Sequence, residues 1–327
     1  MTVWVGSGVA RPSKRNRSEK SREKQVEKTI GYEGTFLADR VYPRGARHTP
    51  EMIADLSRRA YEYRAQVLRM VYERKSGHIG GAFSIAEILT ALYFHHLRID
   101  PERPGWPDRD RLVFSKGHAC AMLYTVLAHR GFFPVAELRT FRSLNSRLQG
   151  HPEPGKTPGV EVAAGPLGHG VAIGAGMALG AWLADSRRNV YVILGDGELD
   201  SGVIWEGLLV AAKFGLSNLK VIVDYNGVQQ TGATATVMPT EPIAAKWASF
   251  NWHVTEIHGH NMAEILDALD RADEIHGRPA VIIARTTKGK GVSFMENAPH
   301  WHGGIPDDDQ FRIATEELQE GVRQWQA

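Results

Sequence analysis

The 327 residues are 43% hydrophobic and 23% charged, with 34 Gly and 16 Pro, a globular profile that excludes collagen-like, coiled-coil and disulfide-scaffold classes. A formal net charge of +2 sets no demand for a nucleic acid or an anionic membrane as partner. The single cysteine, Cys120, can form neither an internal disulfide nor a thiolate metal cage, so any metal falls to oxygen or imidazole ligands, and a reducing, cytoplasmic setting is expected.

No run approaches the roughly 18 apolar residues of a membrane span, and the N-terminus lacks the apolar stretch of a secretory signal. Residues 1–48 differ from the rest in composition: Arg11 to Lys28 is dense in Lys, Arg, Glu and Ser, with too little apolar surface to offset the entropy of ordering. They are expected to form a basic, mobile arm without chemistry, and residues 49–327 one α/β domain.

Met52, Ile53, Leu56, Ala60, Val67, Leu68 and Val71 are spaced as one face of a long helix ending near Lys75. Ser84 and Glu87 have the form of a capping box and predict a second helix over Ile85–Leu97. A third is predicted from about Ala119 to Arg130, stopped by Gly131. Val190–Leu194, Val221–Val223, His253–Ile257 and Ala280–Ala284 are short β-branched runs separated by helix-length stretches. That alternation predicts a parallel sheet covered by helices on both faces. Ligands in such folds bind outside the carboxyl ends of the strands, so the residues after each run come first.

Gly195-Asp196-Gly197 follows one run and Asp224-Tyr225-Asn226-Gly227-Val228 another. Asp196, the Asn226 amide and the Val228 carbonyl are oxygen ligands of the kind Mg²⁺ takes alongside substrate phosphates. The glycines around Asp196 let a diphosphate approach the backbone near a helix N-terminus. Taken alone, the tripeptide reads better as a strand-to-helix turn with an N-cap. The stretch Gly168-x-Gly170-x-x-x-Gly174-x-Gly176-x-x-x-Gly180 lacks the dinucleotide-loop spacing and is expected to be a closely packed small-residue helix, which weakens a nicotinamide reading.

The Gly-Asp-Gly, about 26 residues, Asn pattern resembles the thiamine diphosphate fingerprint. Ser76-Gly77-His78-Ile79-Gly80, Ser115-Lys116-Gly117-His118-Ala119, Gly150-His151-Pro152-Glu153, Gly165-Pro166-Leu167-Gly168-His169-Gly170, Thr287-Lys288-Gly289-Lys290-Gly291 and Trp301-His302-Gly303 extend the match. In that order and spacing they resemble transketolase, from about Pro50 to Gly304. The resemblance is to the N-terminal half of that family's chain. It therefore implies one subunit of a split enzyme, an α2β2 assembly whose second subunit supplies the pyrimidine-binding domain.

The resemblance implies thiamine diphosphate and Mg²⁺ as cofactors and transfer of a two-carbon ketol unit from a ketose or ketose phosphate to an aldose. It places His78 and His302 at the donor's reacting atoms, His302 also at the cofactor, and His151 at the donor's terminal hydroxyl. His118, Gly165, Leu167, Gly197 and Asn226 hold the cofactor, and Asp196, Asn226 and Val228 the metal. His300 and His169 carry no such role, Cys120 reads as a buried small residue, and Asp224 as loop or interface support. The family's acidic residue before the position of Gly202 is here Ser201, with Asp200 beside it, which puts coupling between paired sites in question. Deoxyxylulose phosphate synthase-like and 2-oxo acid dehydrogenase-like subunits, or a non-catalytic subunit of the same fold, are the alternatives. The set His78, His151 and His302 favours transketolase among the enzymes.

Overall fold

The structure is a computed structural model and describes residues 40–326, so most of the expected arm lies outside the described residues. Residues 40–48 pack on the domain: Tyr42 is buried, its amide donates to the Phe94 carbonyl and its hydroxyl to Asp55, while Arg44 pairs with Asp110 and Asp273. Thr49 then caps α1 (Pro50–Arg74), accepting the Met52 amide at 3.3 Å ahead of a first-turn proline. Its hydrophobic stripe is buried as the periodicity predicts.

A short helix that the sequence did not predict, α2 (Ile79–Ser84), comes first, and the predicted second helix follows as α3 (Ala86–Ala91) running into a turn of π-helix, Leu92–His96. Ser84 and Glu87 form no capping box, because each has a stronger partner elsewhere. The Ser84 hydroxyl donates to Asp224 at 2.6 Å, and Glu87 accepts from the guanidinium of Arg64 on α1. The third helix, α4 (Cys120–Arg130), stops at Gly131 in the left-handed region as expected.

Among the described residues five strands form one parallel sheet in the order β1-β2-β3-β5-β4: β1 (Arg111–Phe114), β2 (Val190–Gly195), β3 (Leu219–Tyr225), β4 (His253–His258) and β5 (Ala280–Arg285). β1 is a strand the sequence reading missed. Between the strands run α5 (His169–Leu183), α6 (Gly202–Lys213), α7 (Ile243–Ser249) and α8 (Met262–Asp273), and α9 (Asp308–Arg323) closes the chain against α1. The chain steps one way across the sheet from β1 through β3 to β4, then reverses from β4 to β5. Right-handed crossovers therefore set α8 on the opposite face from α5, α6 and α7. This is the α/β layering expected from the sequence.

One face of the sheet, with Val192, Leu194, Val221, Val223, Val281 and Ile283, forms a core with α5, α6 and α7. The small residues of α5 serve this packing: a Cβ on Gly174 would lie 2.5 Å from the Val192 side chain. No helix among the described residues is long and apolar enough to cross a membrane.

Glu87 and Arg64 are buried, and the Glu87 carboxylate also meets His260 Nδ1 at 3.0 Å. Burial raises the Glu87 pKa, but Arg64 and His260 outweigh it and hold the group down to about 2, against 4.5 for the free side chain. Its stabilisation is therefore whole above pH 4.5 and is lost as pH falls from there toward 2. Glu87→Gln should lower stability at pH 7 by about 3–5 kcal/mol, the usual cost of leaving a buried charge unpaired. In denaturant titrations the gap to the unsubstituted protein should narrow between pH 4.5 and 2, and a pH-independent gap would contradict this account.

Candidate functional site

The carboxyl ends of β1, β2, β3 and β5 open into a cleft of about 460 Å³. Every residue the sequence nominated lines it: His78, His118, His151 and His302, Gly165 and Leu167, Asp196 and Gly197, Asn226 and Val228. They arrive from separate segments, so the fold brings together what the sequence holds more than 200 residues apart. His78 precedes α2, His118 lies between β1 and α4, Asp196 and Gly197 follow β2, Asn226 and Val228 follow β3, and His302 sits in a helical turn at Pro299–His302.

Close backbone approaches permit the convergence. A Cβ on Gly80 would lie 2.7 Å from the Trp301 carbonyl oxygen, so this glycine lets α2 meet the His302 turn. A Cβ on Gly117 would lie 2.4 Å from the Ala164 oxygen, which seats the Gly165 loop beside His118. The imidazoles of His78, His118 and His302 lie 5.0 to 5.4 Å apart, centroid to centroid. The exposed His151 enters on a loop fixed from α4, where the Tyr124 hydroxyl donates to Gln149 and the Cys120 thiol faces the Gly150 carbonyl at 3.1 Å. Burial pushes that thiol up to about 12, so Cys120 is an inert small residue, as expected.

Burial lowers all three central imidazoles. His78 falls to about 4, with Arg142 the next cause, and His302 to about 4, with Lys288 next; His118, beside Lys116, lies well below its usual value. They are neutral at pH 7, and their partners set the tautomer. Arg142 NH2 meets His78 Nδ1 at 3.2 Å, and Lys288 Nζ meets His302 Nδ1 at 3.0 Å. Guanidinium and ammonium only donate, so in each ring Nδ1 accepts and Nε2 carries the proton. The cleft is thereby furnished with two neutral N–H donors.

The oxygen side of the cleft is anchored by backbone. Asp196 accepts the Gly197 amide at 2.8 Å and the Gly227 amide at 2.6 Å, and Asn226 Oδ1 accepts the Val228 amide at 3.2 Å. Burial first, and the charge of Asp224 second, push the Asp196 carboxyl up. A divalent cation would offset both effects. The donors are a carboxylate, an amide and a carbonyl, a hard-oxygen set that fits Mg²⁺ with a diphosphate. The Lys288 ammonium, lowered to about 8 by burial, donates to the Val228 carbonyl at 2.8 Å.

Several residues of the site were missed as functional. Lys116 and Lys288 place two ammonium groups beside the cleft, suited to the charge of a diphosphate. Glu198 ties the Gly165–Gly168 loop to the turn after β2, accepting from Ser115 at 2.6 Å, Gly168 at 2.9 Å and Gly195 at 2.8 Å. Both lysines stood inside motifs already singled out, whereas the contacts of Glu198 needed the fold. Asp224 is buried under the cleft and braces it. His300 and His169 are exposed, the latter with Nδ1 3.2 Å from the Leu167 carbonyl. Ser201 abuts Gly168, and Asp200 accepts from Gln229 at 3.1 Å.

Residues 57–320 match the family described as transketolase, thiamine diphosphate binding domain. The chain is 40% identical over 269 residues to the 6-deoxy-6-sulfo-D-fructose transketolase subunit SqwG of Clostridium sp. (strain MSTE9), covering 82% of this chain and 98% of that protein. It is 39% identical over 259 residues to an apulose-4-phosphate transketolase subunit of Phocaeicola vulgatus, covering 79% and 92%. The crystal structure of Campylobacter jejuni transketolase superposes with a TM-score of 0.76 at 33% identity, covering 83% of this chain and 45% of that one. The chain thus spans most of the subunit relatives and about half the length of the single-chain enzyme. With its motifs gathered in one cleft, the chain belongs to the transketolase family and carries that family's thiamine diphosphate-binding domain.

Proposed function

We propose that the chain is the diphosphate-binding subunit of a two-subunit, Mg²⁺-dependent transketolase that moves a two-carbon ketol unit from a ketose or ketose phosphate to an aldose. The observation that carries the reading is the ring of neutral imidazoles, His78, His118 and His302, held over the oxygen donors Asp196 and Asn226.

Asp196, Asn226 and the Val228 carbonyl hold the metal, and Gly197 and His118 receive the diphosphate, with the positive charge of Lys116 and Lys288 beneath it. Gly165 and Leu167 wall the cofactor ring. When bound, thiamine diphosphate supplies the carbon nucleophile that the side chains lack. The Nε2–H groups of His78 and His302 donate to the donor's carbonyl and hydroxyl oxygens, where negative charge develops. Their low pKa keeps them neutral, so they stabilise that charge without surrendering a full proton. His151, exposed at the mouth, meets the donor's terminal hydroxyl.

A partner subunit in an α2β2 assembly is supported by the subunit names of the relatives that this chain covers almost end to end. It is supported too by an apolar surface on α5 and α6, where Trp182, Leu183, Leu209, Val210 and Phe214 are exposed. Cytoplasmic residence is part of the proposal and rests on the single, buried cysteine.

Chain purified from its own host with Mg²⁺ and thiamine diphosphate should carry a second polypeptide of similar size and show two-carbon transfer only as the complex. A chain that does not bind the cofactor overturns the proposal. Asp196→Asn should weaken Mg²⁺-dependent cofactor binding at least tenfold by calorimetry, and chelation of Mg²⁺ should do the same to the unsubstituted protein. His302→Ala should lower kcat by about 10²–10³, the usual effect of losing one such donor, while cofactor affinity moves little. Equal losses in both quantities would reduce His302 to a cofactor ligand.

A further inference from the structure

On the α8 side of the sheet, remote from the cleft, three segments bring imidazoles and carboxylates together. His48 precedes α1, His95 and His96 lie in the π-helical turn after α3, and Asp267 and Asp270 project from α8. One ligating atom each from His48, His95 and Asp270 lies within 4.8 Å of the other two.

His95 is buried, 3% exposed, and neither of its ring nitrogens has a hydrogen-bond partner. An imidazole desolvated in this way loses its water bonds and gains none in return. His48 Nδ1 meets Asp267 at 3.0 Å, and its buried Nε2 is left without a hydrogen-bond partner, 3.2 Å from Asp270. A carboxylate on the far nitrogen of a ligating histidine is the recurrent outer arrangement of metal-bound imidazole. The local cations do not occupy the acidic groups of this cluster. Arg44 pairs with Asp110 and Asp273, and Lys220 with Asp273, leaving Asp267 facing His48, and Asp270 facing His48 and also His96, whose Nδ1 lies 3.6 Å away. The π-helical turn has a consequence of its own, since an inserted residue widens the backbone and presents His95 beside His48, ring centroids 5.4 Å apart.

We infer that His48, His95 and Asp270 form a binding site for a divalent transition-metal ion, with Asp267 orienting His48. Two imidazoles and a carboxylate are ligands of borderline hardness and suit Zn²⁺, leaving a fourth position for water. Around Zn²⁺ the ligand atoms stand roughly 3.4 Å apart, so closing from the present spacing needs only side-chain adjustment. The ion would clip the segment 40–48 to α8 and to the turn after α3, a structural role separate from the cofactor cleft.

The test uses the full chain, stripped with chelator and then saturated with Mg²⁺ and thiamine diphosphate so that the cleft is filled. Titration with Zn²⁺, read by calorimetry and by metal analysis after desalting, should give one ion per chain. His48→Ala and Asp270→Asn, both at partly exposed positions that should not compromise folding, should each weaken the affinity at least tenfold. Asp267→Asn should weaken it to a lesser degree. Co²⁺ in place of Zn²⁺ should give visible ligand-field bands in the unsubstituted chain that vanish in His48→Ala. Failure to bind zinc, zinc binding unchanged in both variants, or loss of binding on His78→Ala alone would each overturn the site.

Discussion

A buried ion pair between Lys116 and Asp224 lies beneath the cleft, and the segments that build the cleft converge on it. Asp224 is the penultimate residue of β3, Lys116 follows β1, Ser84 reaches Asp224 from α2, and Thr286 reaches it from just after β5. Lys116 also donates to the Gly81 carbonyl at 2.9 Å. Desolvating two charges is expensive, and an apolar pair of the same volume is often as stable. What an apolar pair lacks is direction. The hydroxyls and the carbonyl that complete this pair fix four chain segments in one geometry, and His78, His118, Asn226 and Lys288 stand within a few residues of those fixed points.

The same directional logic governs protons. Lys288 sits between the oxygen donors and the imidazoles, giving hydrogen bonds to the Val228 and Gln229 carbonyls and to His302 Nδ1. Glu87 reaches this segment indirectly, through His260, whose Nε2 accepts the Thr287 amide at 2.8 Å. A buried carboxylate on the helix side thus orients the loop that orients His302. Glu87 and Lys288, at the two ends of this series of contacts, are opposite in sign, and beyond Lys288 the His302 imidazole is neutral at pH 7 with its Nδ1 accepting.

How much of this was legible in the sequence depended on range. The β-branched runs gave β2, β3 and β5, because strands buried on both faces have no polar alternation to confuse the reading, and β4, a half-exposed edge strand, was marked by Val254, Thr255 and Ile257. β1 escaped since Arg111–Phe114 is four residues long and flanked by arginines that look solvated, though Arg109 and Arg111 both reach Glu161. The Ser84/Glu87 spacing misled for a related reason: a local pattern was overridden by partners 140 and 23 residues away. At the site, residue types adapted to oxygen coordination and backbone approach could be named from motifs. Lys116, Lys288 and Glu198 take their meaning from burial and from contacts across the fold, which no spacing encodes.

The surface around α5 follows from the composition of that helix. A helix apolar on one stripe needs one covered face, whereas one that is apolar all round needs two. Gly170, Val171, Gly174, Ala175, Ala178 and Ala181 face inward and are buried, so the sheet takes the first face. Trp182 is 62% exposed and Leu183 72%, and a Cβ on Gly176 or Gly180 would meet nothing within 4 Å, so the described residues leave the second face open. Small residues there keep the helix surface low, and low relief is what lets another backbone come close. Leu167, half exposed at the entrance of the same helix, belongs at once to this face and to the cleft. The open face of α5 and the rim of the cleft therefore meet at Leu167, so that a surface laid over the one would reach the edge of the other.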